Sequence, residues 1–416
     1  MPAKQSSYSD VGNHATTPVE NEMKRSAWLV LVLALGSLLV PASGPAQQVA
    51  VRDLPKATRE IDDPFSLITA VGEIKPGLIA VYDGVDAELS TVNFANGSRT
   101  PLGRAGSGPG EYRGVTGVFR MQGDTIWLLD AMQMRVVAFT PDLKPGPSFP
   151  FMLFDAKTST ALTAPFGSDR RGQLYASALQ ILASETRTGG TMQFPDSVGV
   201  VRFNPRAGGE RTELARLRYP ISGKPEMQRN GTNLKYMVAF PGLVAADAYA
   251  VFPDGRVAIV RGDLYTVQFI GADGKRTTPV KIAYDRVRVT DADRKAEMDE
   301  AKRQAEEQGA AVRKMMPAGV TMQFELLPPA SWPDFYPPIA PLGALAAPDG
   351  NLWVKRAIPV RLGREQWDVI SPAGKLVARW RLPAKTTLVS LGTGVAYTVR
   401  SDADDLRYLQ QVALPK

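Results

Sequence analysis

The residue types that perform most enzyme chemistry are almost absent from this sequence. Its 416 residues contain no cysteine and one histidine, His14. Without cysteine the chain has no thiol nucleophile, no disulfide framework and no cysteine for lipid attachment. Zinc sites built from cysteine or histidine, and a Ser-His-Asp triad, are excluded as well once His14 is removed. Carboxylates remain, and they suit calcium, which takes oxygen ligands.

Six aspartates are available as ligands for such an ion. A calcium loop with ligands at alternate positions would contain an Asp-x-Asp-x-Asp-Gly pattern, and no dense pattern of this kind occurs. We therefore assign no metal site and predict no cofactor, and we keep calcium as an open alternative. The six available residues are Asp83, Asp86, Asp130, Asp155, Asp169 and Asp247.

His14 lies in an N-terminal region that has the pattern of a secretory leader. Lys24 and Arg25 precede an apolar run of 14 residues, 27–40, and small residues follow it. This order is typical of a signal peptide cleaved after Ala46, and the run is shorter than the roughly 20 residues that a membrane-spanning helix needs. After cleavage the mature chain would contain neither histidine nor cysteine.

The same pattern predicts the domain boundaries and the location. We predict a disordered leader or a misassigned start over residues 1–22, a signal peptide over 23–46 and one folded domain over 47–416. The mature protein is then periplasmic or secreted, is not a lipoprotein and has no stable membrane span. Retention of the apolar run as an anchor is the alternative.

The net charge of +7 is spread along the chain. A basic exported protein can lie near anionic lipid or polysaccharide surfaces. No block of about five or six like charges occurs, however, so the sequence does not indicate nucleic-acid binding. We interpret the charge as solvated surface, and we expect a monomer whose partner is a protein, a small molecule or a saccharide.

A unit of short strands and tight turns repeats along the chain. In its clearest copy the Asp349-Gly350 turn precedes a strand at 352–354. Glycine supplies the positive φ that such a turn demands. Six copies have turns near positions 77, 123, 171, 254, 349 and 392, so the spacings are 46, 48, 83, 95 and 43 residues. Three spacings match the ~40 to 50 residues of a propeller blade, and the two long ones must contain insertions.

These six units predict an all-β fold, a six-bladed β-propeller of four-stranded antiparallel blades with one helical insertion between late blades. The last unit has only three strands, and residues 48–54 are predicted to supply the fourth and close the ring. Aromatic residues recur at like positions of different units, as packing between blades requires. These predicted core residues are Tyr82, Trp127, Tyr175 and Trp353.

The largest insertion, residues 290–341, differs from the repeats. Thr290 and Asp293 form a capping signal for a helix over 291–308 that Gly309 would end. The apolar stripe of this helix is narrow, so we expect the helix to lie on the surface. Residues spaced for ion pairs are Lys295 with Asp299 and Arg303 with Glu307.

A proline-rich segment follows the predicted helix. It carries Trp332 and Tyr336 among five prolines within 328–338. Such a segment can line a binding groove, and it can equally pack as filler over a blade. Both residues are therefore candidate ligand-binding residues, with filler as the alternative that we favour.

The segment 103–112, Gly-Arg-Ala-Gly-Ser-Gly-Pro-Gly-Glu-Tyr, precedes one of the clear repeats. With the repeats over roughly 48–414, it resembles the bacterial six-bladed β-propellers related to NHL-repeat and TolB-type propellers. The resemblance implies the fold more than the activity, because such propellers serve binding, lyase, hydrolase and scaffold roles. Lactonase-type propellers bind a metal in the central channel through Glu, Asp and Asn, so a metal-assisted enzyme is one implied alternative.

The same glycine-rich segment carries the other candidate ligand-binding residues. It is predicted to join two blades near the mouth of the central channel, where Arg104, Glu111, Tyr112 and Arg113 would face a ligand. In a structural interpretation the glycines make a tight crossover while Arg104 and Glu111 pair with neighbours. We favour the structural interpretation, because loop packing is the commoner outcome.

The sequence leaves open two functions from different classes. The first is an extracytoplasmic propeller that binds a ligand or a protein without catalysis. The second is a metal-assisted hydrolase or lyase that uses carboxylates in the central channel. Three or more oxygen ligands converging on the channel axis would favour the enzyme, whereas an apolar channel with exposed aromatic residues near Trp332 and Tyr336 would favour the binding module.

Overall fold

Short antiparallel strands joined by tight turns form nearly all of the regular structure in this computed structural model. It describes residues 49–415 except 152–153, 156–159, 163–165, 181–195, 208–209, 219–225, 231–232, 241 and 316–320. Val49–Lys416 forms one compact unit. Within the described ranges, no helix has the length and apolar character needed to cross a membrane.

Six of the sheets each contain a blade of four antiparallel strands, numbered here along the chain. The first three follow the sequence order of their strands without crossovers. Blades 1 to 3 are Ile68–Lys75, Leu78–Asp83, Glu88–Asn93 and Ser98–Pro101; Val115–Arg120, Ile126–Asp130, Arg135–Phe139 and Pro145–Pro150; and Gly167–Ser168, Leu174–Gln180, Ser197–Phe203 and Arg211–Arg218.

The last three blades are built in the same way, except that blade 6 takes its outermost strand from the beginning of the domain. Blades 4 to 6 are Ala248–Val251, Val257–Arg261, Thr266–Ile270 and Val280–Lys281; Ala344–Ala346, Leu352–Lys355, Gln366–Ile370 and Leu376–Arg381; and Thr386–Gly392, Val395–Ser401, Arg407–Ala413 and Arg59–Glu60.

The blades form a closed ring with their first strands innermost. The first strand of each blade contacts the first strands of both neighbouring blades, from blade 1 round to blade 6 and back. All six predicted turns connect a first strand to a second strand, and the turn glycines, such as Gly255 (φ +87°) and Gly350 (φ +88°), have the positive φ that other residues rarely adopt. The prediction of a six-bladed β-propeller is confirmed.

The recurring aromatic residues belong to the core between blades. Tyr82, Trp127, Tyr175 and Trp353 are all buried. Each lies on a second strand, whose two faces are covered by the adjacent blades. Their recurrence in the sequence therefore reflects the packing of one blade on the next, as predicted.

The ring is closed by a strand other than the predicted one. Arg59–Glu60 pairs antiparallel with Arg407–Ala413 and completes blade 6. Val51–Asp53, inside the predicted segment 48–54, instead pairs parallel with Leu376–Arg381 and adds a fifth strand to blade 5. The prediction was wrong because residues 51–53 pair through the backbone with the fourth strand of blade 5, where Asp53 also accepts bonds from Arg381 at 2.7 and 2.9 Å.

Side chains reinforce the closing strand. Glu60 accepts bonds from Arg400 at 2.9 and 2.6 Å, and the bond from Arg400 lowers the pKa of Glu60 below its usual value. Ile61 and Phe65, which follow the strand, are fully buried against Tyr397 and its neighbours at the junction of blades 6 and 1. Closure therefore rests on an apolar anchor beside a short strand.

The insertion between blades 4 and 5 contains the helix α1, Asp291–Met315. The predicted capping box is present, since Thr290 N–H donates to Asp293 at 2.9 Å and Asp293 N–H donates to Thr290 Oγ1 at 3.3 Å. Gly309 does not end the helix, contrary to prediction. A glycine inside a helix costs only about 1 kcal/mol, and the flanking residues are helix formers.

The predicted ion pairs of α1 are met in part. Lys295 pairs with Asp299, as predicted. Arg303 pairs with Glu300, one turn before it, at 3.0 Å. The side chain of Glu307, the predicted partner of Arg303, lies outside the described residues.

A second insertion, between blades 3 and 4, meets the first one. Asn233–Ala239 pairs parallel with Thr321–Leu327, so the two long repeat spacings converge in one small sheet. The remaining strands and short helices lie outside the four-stranded blades. They are the strands Arg104–Ala105, Glu111–Tyr112, Phe154–Asp155, Thr160–Leu162 and Glu226–Asn230, and the 3-10 helices Gln122–Asp124, Ala131–Gln133 and Val360–Leu362. Phe154–Asp155 and Thr160–Leu162 extend the sheet of blade 3, and Glu226–Asn230 pairs with Asn233–Ala239.

The apolar anchor of the ring closure gives a stability prediction. Ile61→Ala removes a side chain that is 1% exposed at the junction of blades 6 and 1, so we expect a loss of about 2–5 kcal/mol in the free energy of unfolding. Val51→Ala, at an exposed position of the other N-terminal strand, should change it by less than about 0.5 kcal/mol. Denaturant unfolding measures both, and equal effects of the two variants would contradict the assigned closure.

Candidate functional site

The two ends of the propeller differ in the connections that they carry. One end, the loop face, carries the connections between blades and the loops between second and third strands, so α1 and the inserted sheet lie there. The other end, the turn face, carries the short turns that join first to second and third to fourth strands. The longest segments therefore surround only one mouth of the central channel.

A cavity of about 450 Å³ follows the axis of the ring. Its lining comes from the first strand of every blade or from residues next to it. The volume falls within the range of roughly 300–1,000 Å³ typical of small-molecule sites. The channel is thus large enough to hold a small molecule, and all six blades contribute to its wall.

Hydroxyl groups line the channel on the loop-face side. Thr69 and Thr116 are each the second residue of a first strand, in blades 1 and 2. The Oγ1 atom of Thr69 lies 3.5 Å from the carbonyl oxygen of Tyr82, and that of Thr116 lies 3.5 Å from the carbonyl oxygen of Leu129. An O–H···O bond is normally 2.5–3.0 Å long, so these hydroxyls keep hydrogen-bonding capacity for a ligand.

Aromatic and apolar side chains line the same half of the channel. Phe166, next to the first strand of blade 3, is 53% exposed and meets Tyr249 of blade 4 edge to face, with ring centroids 6.2 Å apart. Burial raises the pKa of Tyr249, so its phenol stays protonated. Leu342, before the first strand of blade 5, is also exposed. This half of the channel therefore offers an apolar surface beside hydroxyls.

The charged lining residues lie on the turn-face side. Glu73 accepts a bond from the Tyr397 hydroxyl at 2.8 Å and one from the Thr393 N–H at 3.3 Å. Arg120 donates two bonds to Asp124, at 2.9 and 2.7 Å. Glu73 is the one carboxylate among the described lining residues.

Three of the predicted candidate metal ligands are structural clamps on the loop face. Asp83 accepts N–H bonds from Ser66 at 2.7 Å and from Leu67 at 3.1 Å, which tie the entry of blade 1 to the end of its second strand. Asp130 repeats the arrangement in blade 2, where its carboxylate accepts from the N–H groups of Arg113 and Gly114 at 3.2 and 3.1 Å.

The clamp recurs with a variation in blade 4, where the carboxylate comes from the residue before the first strand. Asp247 accepts N–H bonds from Arg218 at 2.8 Å and Gly262 at 2.9 Å, and it pairs with Arg261 at 2.6 Å. These carboxylates are occupied by fixed donors. They face the loop backbone rather than the channel lining.

The other predicted metal candidates are also dispersed. Asp169 accepts N–H bonds from Arg171 and Gln173 in a turn-face turn. Asp86 is exposed and accepts from Ser66 at 3.1 Å. Asp155 lies in a described strand, but its side chain is outside the described residues. Over the part of the chain that the structure describes, no three acidic or histidine side chains come together as a possible metal site.

The glycine-rich loop 103–113 lies on the loop face between blades 1 and 2. Arg104 donates to Glu111 at 2.6 Å, and Gly108 N–H donates to the other oxygen of Glu111 at 2.7 Å. The bond from Gly108, followed by that from Arg104, lowers the pKa of Glu111. Arg135 of blade 2 donates to the Ser107 carbonyl at 2.9 Å. The pairing of Arg104 with Glu111 is the contact that the structural interpretation expects.

The next two candidates of that loop differ in exposure. Tyr112 is buried, meets Tyr82 edge to face at 5.8 Å, and its hydroxyl accepts the Leu89 N–H at 2.9 Å. Arg113 is exposed, and its backbone carbonyl accepts the Tyr82 hydroxyl at 3.2 Å. None of the four loop candidates lines the cavity. Ligand binding by them stays a prediction.

The two aromatic candidates of the proline-rich segment pack against the insertions. Trp332 is partly buried and contacts Phe240, with ring centroids 5.8 Å apart. Tyr336 is 4% exposed, and its hydroxyl donates to Glu297 of α1 at 3.0 Å. The Glu297 carboxylate also accepts the Val360 N–H at 3.1 Å. The structure therefore joins Tyr336 to α1 and to blade 5, while Trp332 contacts the other insertion.

A buried ionic cluster that the sequence did not indicate fixes the insertion to blades 4 and 5. Asp368 is fully buried and accepts the Tyr265 hydroxyl at 2.8 Å, and burial raises its pKa. Arg356 and Arg379 approach it at 3.5 and 3.3 Å. Arg379 also donates to the Ala283 carbonyl at 2.6 Å. The cluster thus anchors the chain that leads into α1.

Sequence reasoning also missed the channel lining. Thr69, Thr116 and Phe166 carry no motif, and only the recurrence of hydroxyl residues at the second position of first strands would have marked two of them. Their shared position becomes visible once the first strands are known to be innermost.

Comparison with known proteins leaves the family open. No protein-family model matches the sequence, and no curated protein matches it. Among solved structures, regucalcin from Agrobacterium tumefaciens, a calcium-binding protein, is 11% identical over 88% of this chain and 98% of its own, with a TM-score of 0.40. A gluconolactonase from Xanthomonas campestris is 10% identical over 89% and 98%, with a TM-score of 0.42.

A virginiamycin B lyase from Staphylococcus aureus is 9% identical over 86% of this chain and 88% of its own, with a TM-score of 0.35. Likeness at this level carries no argument about activity. The strand order and the closed ring define the class on their own, and the chain is a six-bladed β-propeller.

Glu297 gives a prediction about pH. Burial of Glu297 raises its pKa above the ordinary value of 4.5, because burial favours the neutral carboxyl. The neutral carboxyl therefore stabilises the folded state below about pH 4.5, and this stabilisation is lost as the pH rises through the folded-state pKa. Gln stays neutral at every pH. We therefore expect Glu297→Gln to gain in Tm relative to the parent protein as the pH rises from about 4 to about 8.

Thermal unfolding at a series of pH values measures this difference. Glu306→Gln, at an exposed position of the same helix, is the matched reference. A Tm difference for Glu297→Gln that is constant with pH, or that shrinks as pH rises, would show that burial does not control this carboxyl.

Proposed function

We propose that the protein is a non-catalytic binding propeller that takes a small uncharged saccharide in the loop-face half of its central channel. The observation that carries the proposal is the lining itself, in which Thr69 and Thr116 place loosely bonded hydroxyls beside the half-exposed ring of Phe166. A sugar ring has hydroxyls at its edge and an apolar C–H face. Both surfaces find a complement in this half of the channel.

The distribution of charge supports an uncharged ligand. Among the described lining residues, Glu73, Arg120 and Arg170 are the charged ones, and they belong to the turn-face side. The loop-face half thus has no ionic partner for a charged group, which would lose its hydration without compensation. A neutral polar ligand avoids this cost.

The carboxylates do not favour the metal-assisted alternative. Asp83, Asp130 and Asp247 are occupied by backbone N–H groups, and Glu73 is alone among the lining residues as a carboxylate. The proposed site therefore works by binding, through shape, apolar contact and hydrogen bonds. The leader pattern at 23–46 supports an extracytoplasmic location, where a soluble saccharide is accessible.

Calorimetric titration of the purified protein with a panel of neutral mono- and disaccharides tests the proposal. We expect at least one to bind, and Phe166→Ala to weaken it by roughly tenfold to a hundredfold, since burying a side chain of this size is worth about 1.5–3 kcal/mol. Thr69→Val with Thr116→Val, which preserves shape and removes both hydroxyls, should weaken the same ligand.

Val377→Ala is the matched control, because Val377 is 52% exposed, close to the value for Phe166, but lies on the fourth strand of blade 5, away from the channel lining. It should bind like the parent protein. Absence of binding by every saccharide, or unchanged affinity in Phe166→Ala, would rule out the proposed site.

A further inference from the structure

Two arginines on the loop face share one aromatic ring. The guanidinium carbon of Arg286 lies 3.7 Å from the centroid of Phe335, and that of Arg288 lies 5.1 Å from it. Both arginines are exposed, while Phe335 is partly buried. A guanidinium that rests on a ring face keeps its N–H edge free for another partner.

The backbone holds this arrangement in place. The connection after blade 4 runs beside the proline-rich segment, where Val289 N–H donates to the Asp334 carbonyl at 2.9 Å and Tyr336 N–H donates to the Val287 carbonyl at 2.8 Å. Arg288 and Phe335 face each other in an antiparallel bridge between these bonds. In an extended segment, positions two apart project to the same side, so Arg286 and Arg288 share the side of Phe335.

Neither guanidinium has a carboxylate partner among the described residues. Other arginines of the loop face do form ion pairs, as Arg361 does with Asp293 and Arg261 with Asp247. The two arginines are therefore held by the Phe335 ring and by the backbone bonds of the antiparallel bridge, and no carboxylate of the described residues forms an ion pair with them. Preorganised guanidinium groups of this kind favour the bidentate binding of carboxylate and phosphate groups.

The surroundings favour a single small anion over an extended anionic surface. Asp285 and Asp334 are exposed and adjacent in sequence to Arg286 and Phe335. Their negative charges offset the two guanidinium charges, so the patch has little long-range attraction for a membrane or a polyanion. Recognition here depends on short-range geometry.

We infer that Arg286, Arg288 and Phe335 form a recognition site for one oxyanion group, a carboxylate or a phosphate, of a small soluble molecule. The site lies on the connection that leads into α1, and none of its three residues lines the central channel. It is therefore independent of the proposed saccharide site. A negative result in the test of one site therefore leaves the proposal for the other site unaffected.

Thermal unfolding of the full chain in phosphate, acetate and chloride at matched ionic strength tests the inference. Binding to the folded state raises Tm by mass action, so phosphate or acetate should raise it beyond chloride. Phosphate also stabilises proteins through exclusion from their surface, and comparison of variants separates that general effect from binding. Arg286→Gln with Arg288→Gln should weaken the apparent affinity for the effective anion by at least about tenfold.

Three further variants make the result decisive. Arg52→Gln with Lys56→Gln removes two exposed positive charges elsewhere and should respond like the parent protein. Phe335→Leu keeps both charges and removes the aromatic ring. Arg286→Lys with Arg288→Lys keeps both charges but removes the planar guanidinium groups, which bind an oxyanion through two parallel hydrogen bonds. Both variants should weaken the anion response.

An equal response in the parent protein and the Arg-to-Gln variant would overturn the inference. So would a response that the Arg-to-Lys variant retains in full, because charge alone would then suffice. Binding only to vesicles of anionic phospholipid, with no effect of phosphate or acetate, would also overturn it.

Discussion

Every other feature of this molecule depends on the pairing of Arg59–Glu60 with Arg407–Ala413. Without that short strand, Arg407–Ala413 would become an open edge of blade 6, and open sheet edges are prone to pair with other chains. The channel would also be open, since its lining needs first strands from blades 1 and 6. The strand itself offers few backbone bonds. Its strength comes from the Glu60–Arg400 pair and from the buried Ile61 beside it.

Within the closed ring, the residues that stabilise the fold differ from the residues that line the proposed binding site. Asp83, Asp130 and Asp247 fix the loop face by accepting backbone N–H groups, and this use of carboxylates is the same in three blades. The channel lining, by contrast, varies from blade to blade at comparable positions. Thr69 in one blade and Tyr249 in another give the site its mixture of hydroxyl and aromatic surface. Variation on a constant scaffold is how one fold accommodates many ligands.

Local signals in the sequence predicted the repeats, because a turn that needs positive φ selects glycine, as at Gly350. The closing strand was missed for a physical reason. A two-residue strand has no periodic pattern, and its placement depends on partners more than 300 positions later, such as Arg400 for Glu60. The end of α1 was misplaced because neighbouring helix formers outweigh one glycine. Calcium stayed open as an alternative because the sequence does not show that Asp83, Asp130 and Asp247 already accept backbone N–H groups.

Amide hydrogen exchange of the full chain, with and without a saturating neutral saccharide, tests the central claim that closure of the ring creates a ligand channel. The account predicts slower exchange in the first strands, including Ile68–Lys75 of blade 1 and Thr386–Gly392 of blade 6, because the ligand bridges blades on both sides of the closure. Slowing confined to the inserted strands Asn233–Ala239 and Thr321–Leu327, with unchanged exchange in the first strands, would contradict it.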